Sequence, residues 1–129
     1  MAHELSTYLA GRRPRGFKPS PFYSREGDFL TFYFEDRDHY SERLDEYLTV
    51  YRSMDGEKFV GFKLKGVAHL LSTVGDFFFH VRDGVDLRLS MLLIAGTMRT
   101  KEYSALHAYQ EFASKTVQVN LNRRELSPV

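Results

Sequence analysis

Cysteine is absent from the 129-residue chain, and so is tryptophan. Without cysteine there is no disulfide framework, no thiolate-ligated zinc, no iron–sulfur cluster and no cysteine nucleophile. Long apolar runs are missing as well. The most apolar stretch, Leu87 to Ala95, is broken by Arg88 and falls far short of the ~20 residues that a membrane-spanning helix needs. Met1 to Ala10 has neither the basic lead nor the apolar stretch of a secretory signal. A cytoplasmic protein with no membrane partner is therefore the expectation. A net charge of +1, from 18 basic and 17 acidic residues, argues against a general polyanion binder. The glycines are dispersed, with no phosphate-binding loop, no G-x-S-x-G elbow and no His-Glu-x-x-His zinc pattern.

The near-neutral total averages over unlike segments. Residues 11–25 hold five cations (Arg12, Arg13, Arg15, Lys18, Arg25) and no carboxylate. Residues 26–57 hold ten carboxylates against three cations. Eleven Phe and eight Tyr stand where tryptophan does not. Phenylalanine is usually buried, so these rings are expected in a packed core rather than on a stacking platform for bases.

The length fits a single domain. Residues 1–27 read as an N-terminal segment with a basic Pro/Gly arm. Gly11 to Pro21 carries three prolines and two glycines, which oppose helix and ladder hydrogen bonding. Residues 28–122 form the expected domain, and 123–129 a polar tail. Strands are expected near 28–34, 44–53 and 57–65, with a polar loop over Glu35 to Glu42. The Met54-Asp55-Gly56 turn fixes a register. Pairing Ser53 with Glu57 across a three-residue loop puts Val50 opposite Val60 and Leu48 opposite Phe62, which keeps one apolar face. That loop requires Gly56 in the left-handed region.

After Gly66 the period lengthens. A helix is expected over Val67 to Val74, stopped by Gly75, then a short extended piece over Phe77 to Val81. Leu87 to Met98 reads as a second helix capped by Asp86, although its alternation also permits a hairpin over Phe77–Leu93. Met91-Leu-Leu-Ile-Ala95 is rich in helix formers, which favours the helix. A third helix spans Lys101 to Ser114, burying Ala105, Tyr109, Phe112 and Ala113. A last strand is expected over 117–121. The fold class is thus α+β: an antiparallel three- to four-stranded β-meander with two or three helices packed on one face.

Asp28-Phe-Leu-Thr-Phe-Tyr-Phe34, Leu48-Thr-Val-Tyr51 and Met54-Asp-Gly-Glu-Lys-Phe-Val-Gly-Phe-Lys-Leu64 together resemble a family of small prokaryotic β-meander proteins of unknown function. The Asp55-Gly56 turn and the Val60-Gly61-Phe62 step carry the resemblance. Lys63 departs from it, standing where the family usually has an acidic residue. The resemblance implies a three-stranded meander and no particular activity.

The second helix is apolar nearly all round, and such a helix must be covered on every side. A homodimer interface through Leu89, Leu92, Leu93 and Met98 is the simplest cover. Arg12, Arg13, Arg15 and Lys18 could dock on the acidic 26–57 region or follow a phosphate backbone, with Phe17 stacking. Asp36, Asp38, His39 and Glu42 could ligate a divalent metal, but the loop lacks an EF-hand pattern and Arg37 and Arg43 compete. His107 and Glu111 lie one helical turn apart and could bind a metal or pair as surface ions. The leading expectation is a structural or interaction module, a homodimer without cofactor or catalytic role. A nucleic-acid or anion binder using the arm is the alternative, and a small metal-dependent enzyme a distant one.

Overall fold

Antiparallel pairing of five segments builds one sheet. The computed structural model describes residues 17–77, 87–121 and 126. Strands β1 (Phe22–Ser24), β2 (Phe29–Tyr33), β3 (His39–Arg43), β4 (Leu48–Ser53) and β5 (Phe59–Lys65) stand in the order β1-β2-β5-β4-β3. The last three form a meander, and β2 lies on the far side of β5. Three helices follow: α1 (Val67–Phe77), α2 (Leu89–Arg99) and α3 (Tyr103–Lys115). Two short strands, β6 (Leu87–Arg88) and β7 (Asn120–Leu121), pair with each other. The class is α+β, as the sequence predicts.

One face of the sheet is apolar because opposed residues share a face and each strand alternates. Leu30, Phe32, Leu48, Val50, Phe62 and Leu64 all fall on it, and all are buried. They join one core with Val67 and Leu70 of α1, Leu92 and Leu93 of α2, and Tyr109 and Phe112 of α3. Phe112 stacks on Phe62 with centroids 4.7 Å apart and meets Phe59 edge-on at 4.9 Å. Much of the phenylalanine is thus spent on packing, which is worth about 0.5–1.5 kcal/mol per aromatic pair beyond area burial.

The β4–β5 register differs from the expected one. Val50 faces Phe62 and Leu48 faces Leu64, with a bulge between Tyr51 and Arg52. Ser53 N donates to the Lys58 carbonyl and Gly56 N to that of Ser53, so the loop is one residue longer than expected. The longer loop and the bulge together preserve the apolar face. They also put Phe59 rather than Val60 toward α3. Gly56 has φ +78°, the left-handed conformation its turn requires.

Several boundaries move. The segment assigned to the arm contributes β1, whose pairing of Tyr23 with Leu30 widens the sheet. The expected 35–42 loop contributes most of β3. Helix α1 continues through Gly75 to Phe77, since one glycine costs a helix only about 1 kcal/mol. The last strand shrinks to Asn120–Leu121, while Val117 is exposed in a turn. Leu126, placed in the polar tail, is a buried member of the core. The expected extended piece after Phe77 and the Asp86 cap lie outside the described residues. At the observed start of α2, Leu89 N donates to the Val119 carbonyl at 2.8 Å.

Helix α2 corrects the proposed dimer interface. Leu89, Leu92 and Leu93 are fully buried in the chain's own core and have no surface to offer a partner. The sheet, α1 and α3 supply the cover that a second copy was invoked for. Of the four residues, Met98 alone is outward, 56% exposed, with Ile94 one turn back at 40%.

Candidate functional site

The other face of the sheet has a different chemistry. Its strand positions are Phe22 and Ser24 on β1, Phe29, Thr31 and Tyr33 on β2, and Gly61, Lys63 and Lys65 on β5. Thr49, Tyr51 and Ser53 follow on β4, and His39, Ser41 and Arg43 on β3. Lys63, Lys65 and Arg43 give this face three cations, and no carboxylate occupies any of these positions. Phe22 is 62% exposed. Lys63 Nζ sits 4.3 Å from the centre of the Phe29 ring, a cation–π contact. On the helix-covered face the strand charges Glu42 and Arg52 pair at 2.8 Å.

Rings gather at one end of this face, which carries no helix among the described residues. Gly61 stands between Tyr33 and Tyr51, and over it the two phenol rings stack 5.1 Å apart at 8°. His39 packs against both, at 5.4 and 4.9 Å. Burial, with Tyr33 beside it, pushes the Tyr51 phenol up to about 12. Next to these rings lies a cavity of about 230 Å³ lined by Phe17, Tyr33, Glu35, Asp36, Arg37 and His39. Glu35 Oε1 accepts from Lys58 Nζ at 3.2 Å, and this bond holds its carboxyl below the usual range. Glu35 Oε2 is shielded from solvent and has no hydrogen-bond partner among the described residues. Arg37 Nη1 is 3.6 Å from it, an ion pair too long for a hydrogen bond.

A second cleft, about 460 Å³, opens where α2 ends, lined by residues 45–47 and 99–102. Here the polar groups mostly serve the fold. The Arg99 guanidinium lies 3.4 Å over the Tyr47 ring, and its two terminal nitrogens donate to the carbonyls of Gly66 and Lys65. Asp45 accepts from the backbone N–H groups of Tyr47 and Leu48 and from Thr100 Oγ1.

The expected site residues scatter. Lys18 is exposed near the start of the described chain, while Arg12, Arg13 and Arg15 lie outside the described residues. The metal-ligand set is dispersed. His39 and Glu42 sit on opposite faces of β3, Glu42 is bound to Arg52, and no cluster of three ligating residues occurs among the described residues. His107 packs edge-on against Tyr103 at 4.6 Å, and Glu111 pairs with Lys115 instead. The ring and cation pattern of this second sheet face was missed. Its signal was present: Phe29, Thr31 and Tyr33 alternate against Leu30 and Phe32, as Lys63 and Lys65 do against Phe62 and Leu64. Comparison of the chain with protein families, with curated proteins and with solved structures gave no match.

Proposed function

We propose that this chain is a binding module without catalytic work of its own, and that the sheet face opposite the three described helices takes a single-stranded nucleic acid. One observation carries the reading: Lys63, Lys65 and Arg43 share that face with the rings of Phe22, Phe29, Tyr33 and Tyr51, and no carboxylate occupies its strand positions. Cations follow a phosphate backbone, and the exposed Phe22 ring can stack on a base of any sequence. Like charge disfavours a second copy docking face to face on the same surface. Lys18 and the arginines of the arm would extend the positive track. A cytoplasmic location belongs to the same reading.

Fluorescence anisotropy with a labelled ten-nucleotide uridine strand is the test. Binding is expected at low salt, weakening with a log–log slope of roughly −2 for about three displaced counterions. Lys63→Glu with Arg43→Glu should abolish it, and charge reversal of Arg12, Arg13 and Arg15 in the otherwise unchanged chain should weaken it. No binding of the unaltered chain at 50 mM salt would reject the reading.

A homodimer remains a second reading, now narrowed to the outward stripe of Ile94 and Met98 on α2, which is all that supports it. Light scattering on a size-exclusion column decides it: a mass of two chains that falls to one in Met98→Lys supports the dimer.

A further inference from the structure

The cavity beside the stacked tyrosines has a composition unlike the rest of the face. Rings of Phe17, Tyr33 and His39 form its walls, and Glu35, Asp36 and Arg37 supply its charged lining. At about 230 Å³ it is smaller than the pockets that hold drug-sized ligands, and its size suits one planar base. Glu35 and Arg37 place an acceptor and a forked donor side by side, 3.6 Å apart. Lys58 occupies one Glu35 oxygen, leaving Oε2 away from water without a hydrogen bond among the described residues. The half-exposed Glu35 thus keeps one shielded oxygen with only the long ion pair to Arg37 beside it, and a donor brought into the cavity would supply its missing hydrogen bond.

We infer that this cavity is a base-selective pocket at the end of the strand-binding face, and that it takes guanine. Guanine presents adjacent N1–H and N2–H donors beside the O6 acceptor. Glu35 Oε2 would receive the donors and the Arg37 guanidinium would donate to O6. Adenine, cytosine and uracil each offer one donor beside an acceptor on that edge, so Oε2 receives one hydrogen bond from them where guanine supplies two. Splayed bases held by ring walls and read on their Watson–Crick edges are the general mode of single-strand recognition. The inference rests on the nucleic-acid reading of the sheet face.

The two ideas separate in one experiment. Ten-nucleotide strands of uridine alone are compared with strands carrying one guanine or one adenine at either end. Guanine at one end should tighten binding roughly tenfold over uridine, the scale of one good charge-assisted base contact, while adenine should not. Glu35→Gln should bring the guanine-to-uridine ratio to about one, with an unchanged circular dichroism spectrum showing that the variant folds. Uridine binding without a guanine preference overturns this inference and leaves the sheet-face reading standing. Equal gains from adenine and guanine overturn it as well, and no binding to any strand removes both.

Discussion

Tyr33 and Tyr51 stack flat across Gly61, from the two strands that flank it. A Cβ added at Gly61 would lie 2.4 Å from the Phe32 carbonyl oxygen and 3.0 Å from the Tyr33 ring. The ring stack and the close strand approach both depend on that missing side chain. Gly61→Ala is therefore expected to lose about 2 kcal/mol of stability, the usual cost of overpacking. Urea unfolding measures it, and a loss under about 0.5 kcal/mol would show that the strands adjust freely.

Stability should fall in alkali. The Tyr51 phenol titrates near about 12 in the folded chain, above its ordinary 10.0, because burial disfavours the phenolate. Below pH 10 it is neutral in both states and costs nothing. Between about pH 10 and 12 the unfolded chain ionises first and gains stability, so the fold loses it. Tyr23 and Tyr109, whose phenols are also raised by burial, act in the same direction. Unfolding midpoints at pH 8, 10 and 11.5 should decline, and Tyr51→Phe should decline less. Equal declines in the two proteins would remove Tyr51 from the account.

Asp28 ties the β1–β2 turn to α1. It sits at φ 50°, and its carboxylate accepts from Ala68 N at 3.1 Å and from the Tyr23 hydroxyl. Its carbonyl accepts from Gly66 N at 3.0 Å. A carboxylate forty residues away thus supplies the N-terminal cap of the helix. Asp28→Ala loses the cap and keeps the strained backbone, so about 1–2 kcal/mol should be lost. Asp28→Asn tolerates the same φ and can still accept, so it should lose less. Thermal melts rank the two, and a reversed order would show that the cap contributes little.

Tyr109 is buried against Gly96, where a Cβ would lie 2.4 Å from its ring. Its hydroxyl has no hydrogen-bond partner among the described residues. Tyr109→Phe removes a buried hydroxyl without a hydrogen bond among the described residues, so stability should hold or rise by up to about 1 kcal/mol. Gly96→Ala should instead cost about 1–3 kcal/mol by pushing α2 from α3. Denaturant midpoints compare them, and a destabilised phenylalanine variant would mean that the hydroxyl is satisfied in solution.

The helices and central strands were legible because their burial follows one period over many residues. Leu30, Phe32, Val50 and Phe62 announce a face, and Tyr109 and Phe112 a stripe. What failed was whatever long-range contact decides. β3 reads as polar loop because, as an edge strand, it buries almost nothing; only its pairing with β4 makes it a strand. The β4–β5 register slipped because a bulge at Val60 adds a residue that alternation alone does not reveal. The all-round apolarity of α2 was real, but its cover came from the same chain. The aromatic and basic face was hidden because its members come from every strand of the sheet, and only pairing lays Tyr33, Gly61 and Tyr51 in a row.

Leu126 gives the end of the chain a meaning that its composition conceals. Five residues beyond the last described strand position, an apolar side chain returns to the core at 4% exposure. That leucine therefore works as a plug. A chain trimmed after Leu121 to a tidier domain would leave a hole where that leucine was, and a fusion joined there would inherit it.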